Sequence, residues 1–135
     1  MAAPGSASAL HVELVAADRL VWSGEASMVI ARTTEGDLGI LPNHAPLLSV
    51  IIEGVVDVTT TEGETWVAAV DAGFLSVAHN RVSILSEHAE MSHEIDLEKA
   101  RDDLERARSA GENDDAAQEA VRRAEARIRA VERAR

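Results

Sequence analysis

The 135-residue sequence contains no cysteine and no tyrosine, and its three aromatic residues are Trp22, Trp66 and Phe74. Without cysteine, disulfide scaffolds, thiolate metal sites and cysteine nucleophiles are excluded, and a reducing compartment is permitted. No segment approaches the ~20 consecutive apolar residues that a membrane-spanning helix needs, so we expect no direct membrane insertion. Residues 1–9 also lack the basic start and the apolar stretch of a secretory signal peptide.

Basic residues are scarce over the first two thirds of the chain. Residues 1–94 contain 13 acidic side chains against three arginines, whereas residues 95–135 contain 11 acidic and 10 basic side chains. An acidic body repels phosphate backbones and anionic head groups, so we expect no nucleic-acid partner. The abrupt change in composition near residue 95 predicts one domain over residues 1–90 and an appendage over residues 91–135.

Short runs of alternating apolar and polar residues extend from Leu10 to Ser86. Leu10, Val12 and Leu14, for example, alternate with His11 and Glu13, and glycine-containing turns separate successive runs. This period of two, with many valines, isoleucines and threonines, is typical of β-strands. About eight to ten strands at this spacing predict a β-sandwich or flattened barrel.

After Ile95 the apolar residues recur at every third or fourth position, which is typical of helices. We expect helices near residues 96–109 and 115–134, joined by Gly111-Glu112-Asn113-Asp114-Asp115 as an antiparallel hairpin. The segment contains ten alanines but only six larger aliphatic residues, so we expect only a weak contact between its two helices. Such a hairpin either packs permanently on the sandwich or exchanges one partner surface for another.

The stretch from Glu35 to Leu48 contains two glycines, two prolines and an apolar exit. Glycine supplies positive φ and proline fixes φ near −65°, so we interpret this stretch as a rigid surface loop. Four apolar side chains are expected to anchor its ends in the core, namely Ile40, Leu41, Leu47 and Leu48.

No known catalytic motif is present. The sequence lacks a Gly-x-Ser-x-Gly elbow, a His-Glu-x-x-His helix and a phosphate-binding Gly-x-x-x-x-Gly-Lys loop. His88, Glu90 and His93 lie close together along the chain, but they do not have a regular helical spacing, so we predict no metal site. We interpret His44 as a contact or turn residue rather than a base.

The loop Glu35–Leu48, together with Trp22-Ser23-Gly24 and Asp71-Ala72-Gly73-Phe74-Leu75-Ser76-Val77, resembles the epsilon subunit of bacterial F-type ATP synthases, in particular the actinobacterial ones. The resemblance implies a non-catalytic, peripheral part of the rotor on the cytoplasmic face of the cell membrane. It implies contacts with the gamma subunit and the c-ring, and contacts with the alpha and beta subunits when the helices are extended. It also implies restraint of ATP hydrolysis by these helices. The residues that face gamma and the c-ring would be Glu35, Gly36, Asp37 and His44.

The segment Ile95-Asp96-Leu97-Glu98-Lys99-Ala100 resembles the nucleotide-binding motif of the same family, Ile/Leu-Asp-x-x-Arg-Ala, with lysine in place of arginine. The resemblance implies no obligatory cofactor but a weak regulatory ATP site, because lysine cannot make the bidentate contact of a guanidinium. Its residues would be Glu90, Ile95, Asp96, Lys99, Ala100, Arg106, Arg123 and Arg127. Alternatively, Asp96 only caps a helix and the arginines form a solvated face.

Two further functional classes fit the composition and periodicity alone. A free-standing β-sandwich that binds a small ligand, such as a carbohydrate or an acyl group, would explain the first 88 residues but would leave the helices without a task. An adaptor module unrelated to ATP synthase would use the helical hairpin as a docking element. Binding to a gamma subunit discriminates the resemblance from both alternatives.

Overall fold

A computed structural model describes residues 9–111 and 113–134. Residues 1–8, where the sequence predicts no signal peptide, lie outside the described residues. Glu112 of the predicted interhelical turn also lies outside them. Nine strands and two α-helices form within the described residues: β1 Leu10–Ala16, β2 Leu20–Thr33, β3 Gly36–Ile40, β4 Leu47–Ile51, β5 Gly54–Thr60, β6 Thr65–Val70, β7 Gly73–Ala78, β8 Arg81–Ser86, β9 Ala89–Met91, α1 Leu97–Ser109 and α2 Asp115–Arg133. A short 3-10 turn, Ser92–Glu94, precedes α1.

The strands form two layers that share the long strand β2. In the first layer β2 pairs with β1, which lies parallel to β8, and β7 and β4 follow as antiparallel neighbours. In the second layer the later half of β2 pairs with β3 on one side and with β5 on the other, followed by β6 and β9. The predicted β-sandwich is therefore confirmed.

The core lies between the two layers and consists of the inward-pointing residues of every strand. Leu10, Val12 and Leu14 of β1 are buried against residues such as Val29 and Ile84. Because side chains alternate across a strand, the period of two in the sequence determines these inward positions. Burial of each large aliphatic side chain contributes roughly 1.5–3 kcal/mol.

The two helices form the predicted antiparallel hairpin, which lies on the outer face of β5 and β6. The carboxylate of Asp96 accepts the backbone N–H of Lys99 at the start of α1, and that of Asp114 accepts the N–H of Ala116 at the start of α2. Gly111 has φ +109° in the turn between them, a conformation that favours glycine. Side-chain caps thus set the starts of both predicted helices.

The prediction that Glu35–Leu48 is a loop throughout is wrong for residues 36–40. These residues pair with β2 in a five-residue ladder from Val29–Ile40 to Thr33–Gly36, so only the β2–β3 turn and residues 41–46 remain irregular. Ile40 is buried, but Leu41 and Leu48 are 57% and 74% exposed. Leu48 lies on β4, where the alternation that turns Leu47 inward turns its neighbour outward.

The irregular residues 41–46 are held by two asparagines with positive φ. Asn43 has φ 70° and Asn80, in the β7–β8 turn, has φ 60°. The backbone N–H of Asn43 donates to the side-chain oxygen of Asn80 at 2.6 Å, and the Asn80 amide donates back to Asn43 at 3.3 Å. This mutual pairing fixes the loop to the first layer.

Gly73 is required at the start of β7, because a Cβ atom there would lie 1.8 Å from the carbonyl oxygen of Leu85 on β8. We expect Gly73→Ala to lower the free energy of unfolding by about 2–4 kcal/mol, since the backbone of two paired strands must separate. Gly39→Ala is the matched control, because a Cβ at that strand position meets nothing within 4 Å among the described residues. Urea unfolding followed by circular dichroism measures both; equal losses would contradict the steric argument.

Candidate functional site

The outer face of the second layer has an apolar centre surrounded by acidic side chains. Val55 of β5 and Val67 and Ala69 of β6 form the centre. The register pairs Val55 with Ala69 and Ala69 with Glu90, and it pairs Asp57 with Val67. Because paired residues point to the same side of a sheet, Asp57 and Glu90 lie on this face beside the apolar centre.

Helix α2 covers this face with a complementary arrangement. Ala126 and Ala130 are buried against the apolar centre. Arginines on the same side of the helix reach four carboxylates of the sandwich, at nitrogen–oxygen distances of 3.2, 3.1, 2.6 and 2.5 Å: Arg122 with Glu53, Arg123 with Asp71, Arg127 with Glu90, and Arg133 with Asp57. Arg123 also binds Glu119, one turn earlier on α2, at 2.7 Å.

Three of the four acidic side chains are largely removed from solvent. The side chains of Glu53, Asp71 and Asp57 are only 8%, 9% and 13% exposed. A carboxylate at such a position is costly when it has no positive partner, and deletion of one partner of a buried pair typically costs about 3–5 kcal/mol. The arginines of α2 therefore neutralise charges that the covered face would otherwise bury unpaired.

Asp71 is a buried acidic residue of this face. Burial raises its pKa, and the nearby positive charges of Arg123 and Arg127 oppose that effect without cancelling it. The Arg123 Nε atom lies 3.1 Å from Asp71 Oδ2, but among the described residues neither atom has a partner with hydrogen-bond geometry. The contact is an ion pair rather than an aligned charge-assisted hydrogen bond.

Six of the eight residues that the resemblance assigns to ATP line one cleft of about 320 Å³ beside the start of α1. The structure thus brings together Glu90, Ile95, Asp96, Lys99, Ala100 and Arg127. Arg106 and Arg123 instead line a neighbouring cleft of about 430 Å³ between the two helices, which shares Asp103 and Arg127 with the first.

The charges of the first cleft do not fit the phosphates of a nucleotide. Its lining contains four carboxylates, from Glu90, Glu94, Asp96 and Asp103, against two cations. Both cations are already paired, Lys99 with Asp103 at 3.2 Å and Arg127 with Glu90 at 2.6 Å. A polyphosphate would have to displace these carboxylates and then remain near them, which costs Coulomb energy. ATP binding at these residues stays a prediction, and the charges oppose it.

The residues expected to face gamma and the c-ring lie at the two ends of β3. Glu35, Gly36 and Asp37 are at the β2–β3 turn, whereas His44 follows the other end of this strand, whose five residues span roughly 16 Å at ~3.3 Å each. The turn is held by Thr33, whose hydroxyl donates to the Gly36 carbonyl and accepts the Glu35 N–H. The His44 ring bonds the carbonyl oxygen of Ala45.

The outer face of the first layer carries an exposed apolar row. Cross-strand pairing joins Leu20 to Val15, Val15 to Leu85, Leu85 to Phe74, and Phe74 to Val50, across five strands. Leu20, Val50, Phe74 and Leu85 are 57%, 46%, 54% and 51% exposed. A contiguous exposed row of this kind is typical of a protein–protein interface.

The linker before α1 is fixed to the sandwich by Glu94. Its Oε1 atom accepts hydrogen bonds from the Arg19 guanidinium at 3.2 Å and from the backbone N–H of Met91 at 3.0 Å. These bonds lower the pKa of Glu94, and Arg19 also donates to the carbonyl oxygen of Ala89. The chain is therefore anchored as far as residue 94.

Sequence reasoning missed the apolar row and the carboxylate partners of α2. The sequence did indicate the apolar row, because large apolar residues occur side by side at Leu47-Leu48, Phe74-Leu75 and Ile84-Leu85. Adjacent residues of a strand point to opposite faces, so both faces of these strands are apolar. The alternative in which the arginines form a solvated face does not describe Arg123 and Arg127, which pair with Asp71 and Glu90 of the sandwich. The excess of acidic residues before residue 95 and of arginines after Val121 was the available signal for that pairing.

None of the described helices is long and apolar enough to cross a membrane. Within the described residues no three histidine or acidic side chains are placed to hold a metal ion. The ring of His93 instead packs edge-on against Trp66, with centroids 5.9 Å apart.

We predict that Asp71→Asn changes the pH dependence of stability. Because the pKa of Asp71 is raised in the folded state, its contribution is fully present below the ordinary pKa and is lost as the pH rises through the raised one. The unfolding free energy of Asp71→Asn relative to the unsubstituted chain should therefore increase between about pH 4 and about pH 7. Urea titrations at several pH values measure it; a relative decrease would mean that pairing with Arg123 outweighs burial.

Comparison with known proteins agrees with this architecture. Residues 9–92 match the family model described as ATP synthase, Delta/Epsilon chain, beta-sandwich domain. The ATP synthase epsilon chain of Streptomyces avermitilis is 56% identical over 125 residues, which cover 93% of this chain and 97% of that one. The epsilon chain of Rhodococcus jostii is 50% identical over 126 residues, which cover 93% and 98%.

A solved structure extends the similarity to an assembled complex. A chain in the cryo-EM structure of the Euglena gracilis mitochondrial ATP synthase, comprising OSCP, F1 and c-ring in rotational state 1, superposes with a TM-score of 0.75 at 25% identity, covering 93% of this chain and 81% of that one. Together these similarities show that the chain belongs to the ATP synthase epsilon chain family and is a non-catalytic stalk subunit of that complex.

Proposed function

We propose that this subunit forms the part of the central rotor that joins the gamma subunit to the c-ring, at the cytoplasmic face of the bacterial cell membrane. The chain itself performs no chemistry in this role. It transmits rotation between the proton-driven ring and the catalytic subunits, and it regulates ATP hydrolysis through its helical hairpin.

The exposed apolar row supports gamma binding. The first layer leaves Leu20, Val50, Phe74 and Leu85 in solvent, whereas the hairpin covers the corresponding face of the second layer. A row that crosses five strands offers a broad, flat surface, which suits a helical partner better than it suits a small ligand that needs a concave pocket. We assign this row to the gamma subunit.

The β2–β3 turn is the proposed contact with the c-ring. Glu35 and Asp37 are exposed at its tip, and Asp37 lies 3.6 Å from Arg32. Two carboxylates on a short, internally bonded turn can pair with basic groups in the loops of the ring. Such complementarity determines orientation and register more than affinity. His44, at the other end of β3, is assigned to the gamma side.

The hairpin is the proposed regulatory element. Its seam is rich in alanine, and its contact with the sandwich is centred on two alanines. Departure of the hairpin therefore exposes little apolar surface to water, so a folded and an extended position can lie close in free energy. In the extended position the helices would contact the alpha and beta subunits and restrain hydrolysis.

We predict that Phe74→Glu weakens binding to the gamma subunit of the same organism by at least about ten-fold, because a charge placed at the centre of an apolar interface must be desolvated. The fold should be unaffected, since the side chain is exposed. Calorimetry or size-exclusion chromatography of the purified pair measures the loss. Thr65→Glu, which adds the same charge at an exposed position of the other layer, should bind like the unsubstituted chain. Unchanged binding by Phe74→Glu would refute this surface assignment.

Truncation tests the domain boundary. A chain ending at Glu94 keeps the buried Met91 and the Arg19–Glu94 pair, so we expect a folded sandwich that binds gamma and relieves inhibition of ATP hydrolysis in the assembled complex. A chain ending at Glu90, the boundary proposed from composition, should also fold but with an unfolding free energy lower by about 2–4 kcal/mol, because it loses a core methionine. Circular dichroism and hydrolysis assays distinguish these outcomes. An unfolded Glu94 truncation would show that the hairpin is part of one cooperative domain.

A further inference from the structure

We propose that the hairpin is held on the sandwich by an electrostatic latch that the chain supplies entirely itself, so that its position responds to ionic strength and not to ATP. The latch consists of the four pairs Arg122–Glu53, Arg123–Asp71, Arg127–Glu90 and Arg133–Asp57. The inference rests on the proposed regulatory movement of the hairpin, but its test requires no other subunit.

The geometry of the two surfaces supports the latch. On the sandwich, acidic side chains surround a small apolar centre, and on α2 arginines surround two buried alanines. The four pairs are distributed over three turns of the helix, from Arg122 to Arg133. Pairs at both ends of the contact determine the position and direction of α2 on the sheet, which the alanine contact alone does not specify.

The apolar contact between α2 and the sheet involves few residues. The residues buried between α2 and the sheet are Val55, Val67, Ala69, Ala126 and Ala130, with Ile95 packed at their edge. Two alanine methyl groups provide the whole buried contribution of α2 to this cluster. Helix α1 packs mainly against α2 and adds little contact with the sandwich, so the ion pairs decide whether the hairpin stays.

The same pairs explain why a nucleotide is not needed to neutralise the arginines. Arg123 and Arg127 are the residues whose counterparts would bind phosphates, yet here they contact Asp71 and Glu90 at 3.1 and 2.6 Å. The carboxylates of the sandwich take the place of an external anion. A bound phosphate would have to break these contacts, so it would compete with the folded position rather than secure it.

Salt should therefore open the latch. Raising the NaCl concentration from about 10 mM to about 1 M shortens the Debye length from about 30 Å to about 3 Å. Each pair keeps a side that solvent can reach: the side chains of Arg122 and Arg133 are 53% and 51% exposed, and those of Arg123 and Arg127 are 34% and 26% exposed. Screening through that side weakens the pairs, while it leaves the apolar core between the two layers intact.

Trp66 provides the reporter for this experiment. Its ring packs at the edge of the core between the layers and also lines a cleft with Val131 and Ala134 near the end of α2. Departure of α2 therefore uncovers the side of the ring that faces this cleft. In the full chain with Trp22→Phe, Trp66 is the single tryptophan. We expect its quenching constant with acrylamide, a neutral quencher, to rise about two-fold or more between low and high salt, while the sandwich signal in circular dichroism stays constant.

Variants of the same chain identify the groups responsible. Arg123→Gln combined with Arg127→Gln should give high quenching already at low salt. Arg129→Gln, on an exposed position of the same helix, should behave like the unsubstituted chain. The charge exchange Glu90→Arg with Arg127→Glu should restore low quenching relative to Arg127→Glu alone, which separates loss of the ion pair from loss of folding.

The outcomes are distinguishable. Salt-dependent quenching that the double variant abolishes and the charge exchange restores supports the latch. Quenching that is independent of salt, and equal in the double variant and in Arg129→Gln, overturns it. Addition of MgATP at millimolar concentration should leave the quenching unchanged, and a decrease would overturn the independence from ATP. Gamma binding is measured separately, so its failure would refute the proposed function and leave the latch result standing.

Discussion

Side chains along a strand point alternately to its two faces, and the two-layer sandwich uses this constraint to create three distinct surfaces. Inward residues form the core between the layers. On the outer side of β5 and β6 the same alternation places Asp57 and Glu90 beside Val55 and Ala69, which becomes the face covered by α2. On the other layer it leaves Phe74 and Leu85 in solvent. The position of each functional surface thus follows from strand register.

The outer faces of the two layers differ in their chemistry. The face under α2 is small in apolar area and rich in carboxylates, and the arginines of the helix neutralise it within the same chain. The opposite face is apolar, and no described part of the chain covers it, so we assign its burial to another protein. The proposed reversible contact of the hairpin therefore uses charge, which responds to solvent conditions, whereas the proposed permanent contact with gamma uses hydrophobic burial, which does not depend on salt screening.

Local patterns in the sequence predicted seven of the nine described strands, all but β3 and β9, and both helices with their caps, because these depend on neighbours a few residues apart. Asp96, for example, caps α1 as helix-start rules suggest. Partnerships across the fold were not predictable in this way. Arg133 and Asp57 are 76 residues apart, and only the docking angle of α2 brings them together. Gly36–Ile40 resembled a loop by composition, but a five-residue ladder with β2 outweighs the poor strand propensity of its glycines. The prediction that Leu48 lies in the core was wrong, because the alternating pattern does not show which of two adjacent leucines points inward.

The anchoring of Glu94 by Arg19 and by the Met91 backbone has a mechanical consequence. Because α1 begins at Leu97, only Ile95 and Asp96 separate the fixed part of the chain from a rigid helical arm. In the movement proposed for the hairpin, these two residues supply four backbone torsions, so the arm would turn about a short pivot rather than move on a long flexible linker. Helix α1 has 13 residues and a length of roughly 20 Å at ~1.5 Å per residue, and that length sets how far from the pivot the turn between the helices can travel.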